Sequence, residues 1–295
     1  MILVTGATGH VGGELVRRLA AAGEPVRAMT RRPAGARLPA GVEAVYGDAD
    51  DPASLEAAFA GASGAFLMSA QPVGAAPGPT HDLALARAAA EAGVRRVVKL
   101  SVLDAGAGTD VIARWHAEAE AAVTGASRDW AWTLLRPGRF MSNALQWAGQ
   151  IRAGDEVAVP FAERPAASID PADLAEIAAL ALTTDEHAGA TYELSGPRSL
   201  TPVGELSVLG EVLGRDLHAK ALPPAAARAG MERYGFPPEV VDAIMRRTLE
   251  SDRGAEVLPT AEKILGRPAR TFTQWARAHA DAFARAVGVA GETPT

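Results

Sequence analysis

The stretch MILVTGATGHVGGELV, residues 1–16, decides the fold of this chain. Its short apolar run at residues 2–4 is typical of a strand covered on both faces, as in a parallel sheet. Glycines follow at positions 6, 9 and 12, and the apolar residues then recur at positions 11, 15, 16 and 19, the period of an amphipathic helix. The order strand, glycine turn, helix predicts a site where free N–H groups at a helix start bind a diphosphate.

Length and composition narrow the classes of function. A chain of 295 residues with 48% hydrophobic residues can bury a large core. The net charge of −6 argues against nucleic acid or an anionic membrane as a partner. The sequence contains no cysteine, its histidines lack metal-ligand spacing, and its apolar runs are too short to span a bilayer. We therefore expect a cytoplasmic monomer or homodimer that acts on a small molecule and holds no metal.

The hydrophobic pattern alternates between strands and helices along the first half of the chain. Apolar runs predict strands at residues 2–4, 25–30, 43–46, 65–69, 96–101 and 131–135. Helical patterns lie between them, including residues 81–92 and 111–124. This alternation predicts an α/β fold with a doubly wound parallel sheet of the Rossmann type.

The second half of the chain predicts a smaller, mainly helical lobe that binds the substrate. A helix at residues 171–182 and a strand at residues 191–195 are expected to return to the sheet. We therefore assign residues 1–152 and 166–196 to the nucleotide-binding domain, and residues 153–165 and 197–295 to the lobe. A short strand is expected at residues 217–222, and residues 290–295 are expected to fray.

The residues after the second strand indicate which coenzyme binds. NAD sites place an acidic residue here for the ribose 2′-hydroxyl, whereas NADP sites use arginine for the 2′-phosphate. No acidic residue occurs between positions 25 and 42, but arginines occur at 27, 31, 32 and 37. We predict NADP(H), with Arg31 on the phosphate and Arg32 beside it, and NAD(H) as the alternative coenzyme. A solvated basic loop is the other interpretation of these arginines.

Several motifs, taken in order, resemble one family. The glycine motif TGATGHVG at residues 5–12 resembles that of the extended and atypical branches of the short-chain dehydrogenase/reductase superfamily. The later motifs are VVKLS at 97–101, HAEAE at 116–120, LLRPGRFMSN at 134–143, SIDPADLAEIAALAL at 168–182, ATYELSGPRSLT at 190–201 and LGRPARTFTQWARAHADAF at 265–283. Together they are similar to the NmrA-like atypical reductases, which include bacterial NAD(P)H quinone oxidoreductases and triphenylmethane dye reductases. The resemblance spans nearly the whole chain and implies an NAD(P)-binding reductase.

Coenzyme contacts are expected where parallel strands end, because these ends meet at one edge of the sheet. The glycine turn contributes Gly6, Thr8, Gly9, His10, Val11 and Gly12. The resemblance implies that Asp48, with Ala49 next to it, lies beside the adenine ring. The remaining predicted contacts are Ser69, Ala70, Gln71, Ser101 and Pro137. The Gly-, Ala- and Pro-rich residues 71–79 are expected to form a loop over the nicotinamide.

The usual catalyst of the superfamily is missing. It is a tyrosine four residues before a lysine, on the helix after the fifth strand, where the lysine lowers the pKa of the tyrosine. Alignment through the AEAE motif puts Ile112 at the tyrosine position and His116 at the lysine position. No tyrosine occurs between positions 46 and 192. Sugar epimerisation and alcohol oxidation are therefore disfavoured.

Other polar residues remain as catalytic candidates. His116 is a candidate proton donor or ribose contact, and a polar surface residue is the alternative. Lys99 is expected to face the nicotinamide or to be a satisfied strand end. Asn143 is a candidate neutral donor to an acceptor oxygen. Phe140, Asn143 and Trp147 are expected to border the acceptor pocket, with core packing as the alternative for the aromatic rings.

A coenzyme site without an obvious acid suits an acceptor that delocalises the arriving charge. A quinone does so, and its hydroquinone anion takes a proton from water. We predict hydride transfer from NADPH to a quinone or another planar aromatic acceptor, with aromatic polyketide biosynthesis as one setting. Two alternatives stay open. One is a non-catalytic NADP(H)-sensing regulator, and the other is a ketoreductase that uses His116 as its acid.

Overall fold

The computed structural model describes residues 1–126 and 129–284. The expected fraying at residues 290–295 lies outside this range. The strands are β1 (Ile2–Val4), β2 (Val26–Thr30), β3 (Glu43–Tyr46), β4 (Gly64–Leu67), β5 (Arg96–Leu100), β6 (Ala131–Pro137), β7 (Glu156–Pro160), β8 (Ala190–Leu194) and β9 (His218–Leu222). The helices are α1 (His10–Ala21), α2 (Pro52–Phe59), α3 (Thr80–Glu91), α4 (Val111–Ala126), α5 (Ala148–Ala153), α6 (Pro171–Thr183), α7 (Pro202–Leu213), α8 (Pro224–Arg233), α9 (Pro238–Leu249), α10 (Thr260–Leu265) and α11 (Phe272–Ala278).

Within the described residues, seven strands form one parallel sheet in the order β3-β2-β1-β4-β5-β6-β8. The predicted doubly wound α/β fold is confirmed. The chain changes direction across the sheet between β1 and β4, so the strand ends splay apart there. This switch point is where sheets of this kind bind ligands, and the glycine turn after β1 lies beside it.

The sheet is buried on both faces, as the apolar run in β1 predicts. Ile2 and Val4 pack into the core beneath α1 and α6, whereas Leu3 packs into the opposite core with α2, α3 and α4. Alternate residues of a strand point to opposite faces, so three consecutive apolar residues are needed to fill both cores. The two helical layers hold the carboxyl edge of the sheet rigid under the coenzyme site.

A second, two-stranded parallel sheet lies outside the main one. The strand β9 was expected, but its partner β7 was not, although Val157 and Val159 alternate with polar or half-buried neighbours. The two strands are some sixty residues apart in the chain, and a five-residue run gives a weak signal without its partner. Around this sheet the lobe packs a core of its own, which includes Trp147 and Trp275.

In the described part of the chain, no helix combines the length and apolar character that crossing a membrane requires.

Candidate coenzyme and active site

The glycine turn joins β1 to α1 in a conformation that side chains would prevent. Gly6 has a φ of +60°, and its carbonyl accepts a hydrogen bond of 2.9 Å from the Gly9 amide. A Cβ on Gly12 would overlap that carbonyl oxygen. Gly9 precedes α1 without a side-chain cap, so the first N–H groups of the helix stay available to an anion. The turn therefore fits a coenzyme diphosphate.

Two cavities flank this turn and share Thr8, Gly9 and Arg17 in their walls. The loop-side cavity, about 220 Å³, lies between the turn and residues 35–39. The lobe-side cavity, about 230 Å³, lies between the turn, the start of α6 and the end of α11; its other lining residues are His10, Glu14, Ser142, Asp170, Pro171, Trp275 and His279. The lobe-side cavity is lined mainly by polar residues, whereas the loop-side cavity combines two arginines, Arg17 and Arg37, with mostly small and apolar residues.

The arginines after β2 do not all lie at the loop-side cavity. Arg31 and Arg32 are exposed immediately after the strand, and Arg37 lines the cavity. Sequence reasoning noted Arg37 but did not assign it to the phosphate. The signal that would have selected it is the turn at residues 33–35, which folds the chain back toward α1. Arg31, Arg32 and Arg37 are all candidates for the 2′-phosphate contact.

The other predicted coenzyme contacts follow the strand ends, as expected for parallel strands. The half-buried Asp48 and Ala49 follow β3, and the Asp48 carboxylate accepts a hydrogen bond from the Asp50 amide. Ser69, Ala70 and Gln71 follow β4. The Gln71 side chain donates to the Thr80 hydroxyl and accepts from the His81 amide, so it ties the loop 71–79 to the start of α3.

Lys99 lies at the end of β5 but is fully engaged below the site. Its Nζ is 3.0 Å from Asp82 Oδ1 and donates to the Leu100 carbonyl at 2.5 Å. Lys99 is 2% exposed and Asp82 is 4% exposed. A buried ammonium of this kind needs its paired carboxylate, so the satisfied strand end is the better interpretation of Lys99.

Ser101, at the same edge of the sheet, belongs to a second set of hydrogen-bonded polar side chains. Its hydroxyl donates to Glu120 Oε1 at 2.6 Å, and Arg136 makes two hydrogen bonds to the same carboxylate. The Pro137 carbonyl, at the end of β6, accepts from the Leu103 amide. The Ser101 hydroxyl and the Pro137 carbonyl are therefore both engaged by protein partners.

His116 lies on α4 next to the Lys99 pair. Burial, and to a smaller extent the nearby Lys99 ammonium, lower the pKa of His116 to about 4. Its buried Nδ1 has no hydrogen-bond partner among the described residues. The imidazole is thus neutral at physiological pH and retains an unmatched polar atom at the position where the superfamily places its lysine. Proton donation as an imidazolium is therefore disfavoured at this position.

The residues predicted to border the acceptor all follow β6, but they differ in exposure and in what they pack against. Asn143 is exposed, and Phe140 is half-buried where it pairs with Ile169 and packs on the main core. Trp147 is only 1% exposed and lies in the lobe core. Its burial supports core packing, the alternative for this ring, and not a place at the acceptor.

Several residues that line the lobe-side cavity were missed from the sequence, and two of them lie near the end of the described chain. Trp275 and His279 belong to the lobe, yet both line the cavity beside the glycine turn. They are four residues apart, so they share one face at the end of α11. That spacing is the signal in the sequence, but the distance to the turn is visible only in the folded chain.

Comparisons with known proteins identify the family of the chain. The model of the NmrA-like family matches residues 1–255. The chain is 41% identical, over 96% of its length and 99% of the relative, to a (4-alkanoyl-5-oxo-2,5-dihydrofuran-3-yl)methyl phosphate reductase of Streptomyces griseus. It is 36% identical, over 97% of its length and 100% of the relative, to an NAD(P)H azoreductase of Xenophilus azovorans.

A solved structure gives the same result. The NADPH-dependent quinone oxidoreductase QOR2 of Escherichia coli, crystallised with NADPH, superposes with a TM-score of 0.74 at 26% identity, over 94% of this chain and 99% of that one. The glycine turn, the parallel sheet and these relatives agree on the cofactor and on the kind of reaction. The chain therefore belongs to the NmrA-like family and is an NAD(P)H-dependent oxidoreductase that uses NADP(H).

Proposed function

We propose that the protein reduces a planar, electron-poor conjugated acceptor, with a quinone as the first candidate. The observation that carries this proposal is the acid-free site: Ile112 replaces the tyrosine, and His116 is neutral because burial lowers its pKa to about 4. A ketone needs a proton as the hydride arrives, whereas a quinone spreads the charge over its ring and oxygens. The product anion then takes its proton from water.

The chain contributes binding and orientation to this reaction. In this proposal the N–H groups at the start of α1 hold the diphosphate, and the half-buried His116 imidazole contacts a ribose hydroxyl. When bound, NADPH supplies the hydride. The exposed Asn143 donates to an acceptor oxygen, which fixes the ring and stabilises the negative charge. Most of the rate would come from holding donor and acceptor in line.

A butenolide phosphate is the second candidate acceptor. The relative at 41% identity is named for such a substrate, whose ring double bond is conjugated to two carbonyl groups. Hydride addition to it would give an enolate, so it too delocalises the charge without an enzyme acid. Aromatic polyketide biosynthesis stays a proposed setting for the quinone.

Stopped-flow mixing of the NADPH complex with a set of acceptors tests the proposal. The set contains naphthoquinones, anthraquinones, an alkanoyl butenolide phosphate and simple aryl ketones. We expect oxidation of NADPH by at least one conjugated class and none by the ketones. Retention of NADPH with every acceptor would overturn the proposal in favour of a coenzyme-sensing regulator. Reduction of a ketone that is lost in His116→Phe would overturn it in favour of a ketoreductase.

A further inference from the structure

The lobe-side cavity is built from both parts of the molecule. Thr8, Gly9 and His10 belong to the glycine turn and the first residue of α1, while Trp275 and His279 come from the end of α11 in the lobe. Its volume is about 230 Å³, which leaves room for a charged group. The end of α11 therefore lies at the diphosphate site.

The charges around this cavity favour an anion. The starts of α1 and α6 both reach it, at His10 and Pro171, and each carries the partial positive charge of a helix N-terminus. Of the two acidic groups in the wall, Glu14 is paired with Arg17. The other, Asp170, caps α6 by accepting from the Ala172 amide, and burial raises its pKa.

His279 is held so that one ring nitrogen is free. The Trp275 carbonyl is 2.9 Å from Nδ1 and can only accept, so Nδ1 carries a hydrogen. The imidazole stacks on the Trp275 indole with a centroid distance of 4.6 Å and an interplanar angle of 20°. Trp275 is 1% exposed, and its Nε1 has no partner among the described residues. The indole thus fixes the imidazole plane and leaves Nε2 for a ligand.

We propose that His279 binds the coenzyme diphosphate through Nε2, so that the lobe closes one side of the coenzyme site. A hydrogen bond between Nε2 and a phosphate oxygen would be charge-assisted, because the phosphate is an anion. The inference rests on NADPH binding, which the proposed function shares, but it does not depend on the identity of the acceptor. A residue of the substrate lobe thereby becomes a coenzyme ligand.

Equilibrium titration of three ligands with matched variants tests this. The ligands are NADPH, 2′-phospho-ADP-ribose, which keeps the diphosphate, and adenosine 2′,5′-bisphosphate, which lacks the second phosphate. The variants are His279→Phe, which keeps the ring stacked on Trp275, and His279→Gln, which keeps a donor. Arg277→Ala is the control, because Arg277 is exposed two residues before His279, on α11.

We expect each variant to change the affinity for the three ligands to a different extent. His279→Phe weakens NADPH and 2′-phospho-ADP-ribose about tenfold and leaves adenosine 2′,5′-bisphosphate within about twofold. His279→Gln recovers most of the loss, and Arg277→Ala changes none of the three. Equal weakening of all three ligands, or no weakening of NADPH, overturns the proposal. Failure of the wild-type protein to bind NADPH would instead overturn the proposed function.

Discussion

At the scale of single residues, the chemistry of the site depends on which ionisable side chains have an ion-pair or hydrogen-bond partner. Lys99 and Asp82 neutralise each other below the carboxyl edge, and Glu120 is shared by Ser101 and Arg136. His116 lies between these groups and has no partner for Nδ1 among the described residues. Its neutral state follows from burial near a cation.

The lowered pKa of His116 predicts a pH-dependent stability. Between pH 6.5 and about 4 the unfolded chain binds a proton at this histidine that the folded chain does not, so stability falls as the pH falls through this range. The whole effect is about 3 kcal/mol. Chemical denaturation at pH 7 and pH 4.5 should show a smaller loss of stability for His116→Gln than for the wild type. Equal losses would contradict the buried, neutral histidine.

At the scale of elements, the turn between β1 and α1 is the most constrained segment. Thr5 supports it from below, because its hydroxyl donates to the carbonyls of Phe66 and Met68 on β4 and just after it. Gly12 lets the first turn of α1 lie directly against the Gly6 carbonyl. This close approach sets the angle at which the helix start meets the coenzyme.

Neighbouring glycines of α1 provide a matched test. Gly12→Ala forces a Cβ to within 2.8 Å of the Gly6 carbonyl carbon, so we expect a loss of about 1–3 kcal/mol in stability and at least tenfold weaker NADPH binding. Gly13→Ala meets its nearest atom, the Ala7 carbonyl oxygen, at 3.5 Å. It should be neutral or stabilise the helix by about 0.5–1 kcal/mol. Thermal unfolding measures the stability of both variants, and coenzyme titration measures their binding of NADPH. A Gly12→Ala variant that matches the wild type in both would contradict the close approach of α1 to the Gly6 carbonyl.

At the scale of the whole molecule, charged contacts join the sheet to the lobe. Arg139, just after β6, donates to both oxygens of Glu205 on α7 at 2.6 Å, and Ser168 donates to the same carboxylate at 2.9 Å. Glu205 is 1% exposed. The α7 helix of the lobe is therefore joined to the segments that follow β6 and precede α6 through a buried carboxylate.

Removing one partner of this contact should destabilise the molecule. Glu205→Ala leaves Arg139 without its carboxylate, and we expect a loss of about 3 kcal/mol in urea unfolding. The control is Glu156→Ala, which removes one side of an exposed pair with Lys220 and should cost less than about 1 kcal/mol. Similar effects of the two substitutions would show that the buried contact does not anchor the lobe.

The sequence by itself determined the local features of this protein. The apolar run of β1, the spacing of Gly6, Gly9 and Gly12, and the missing tyrosine at Ile112 predicted the fold, the coenzyme and the absence of the usual catalyst. These features depend on neighbours in the chain, since strand burial, turn conformation and helix period are short-range properties.

The tertiary structure alone decided which distant side chains meet. In the folded chain Trp147 lies in the lobe core, and β7 pairs with β9. Lys99 pairs with Asp82, and His279 lines a cavity beside the glycine turn. Burial and contact between residues far apart in sequence depend on how helices and sheets pack. No local pattern specifies that packing, because the same apolar or polar residue suits a core, an ion pair or a ligand site.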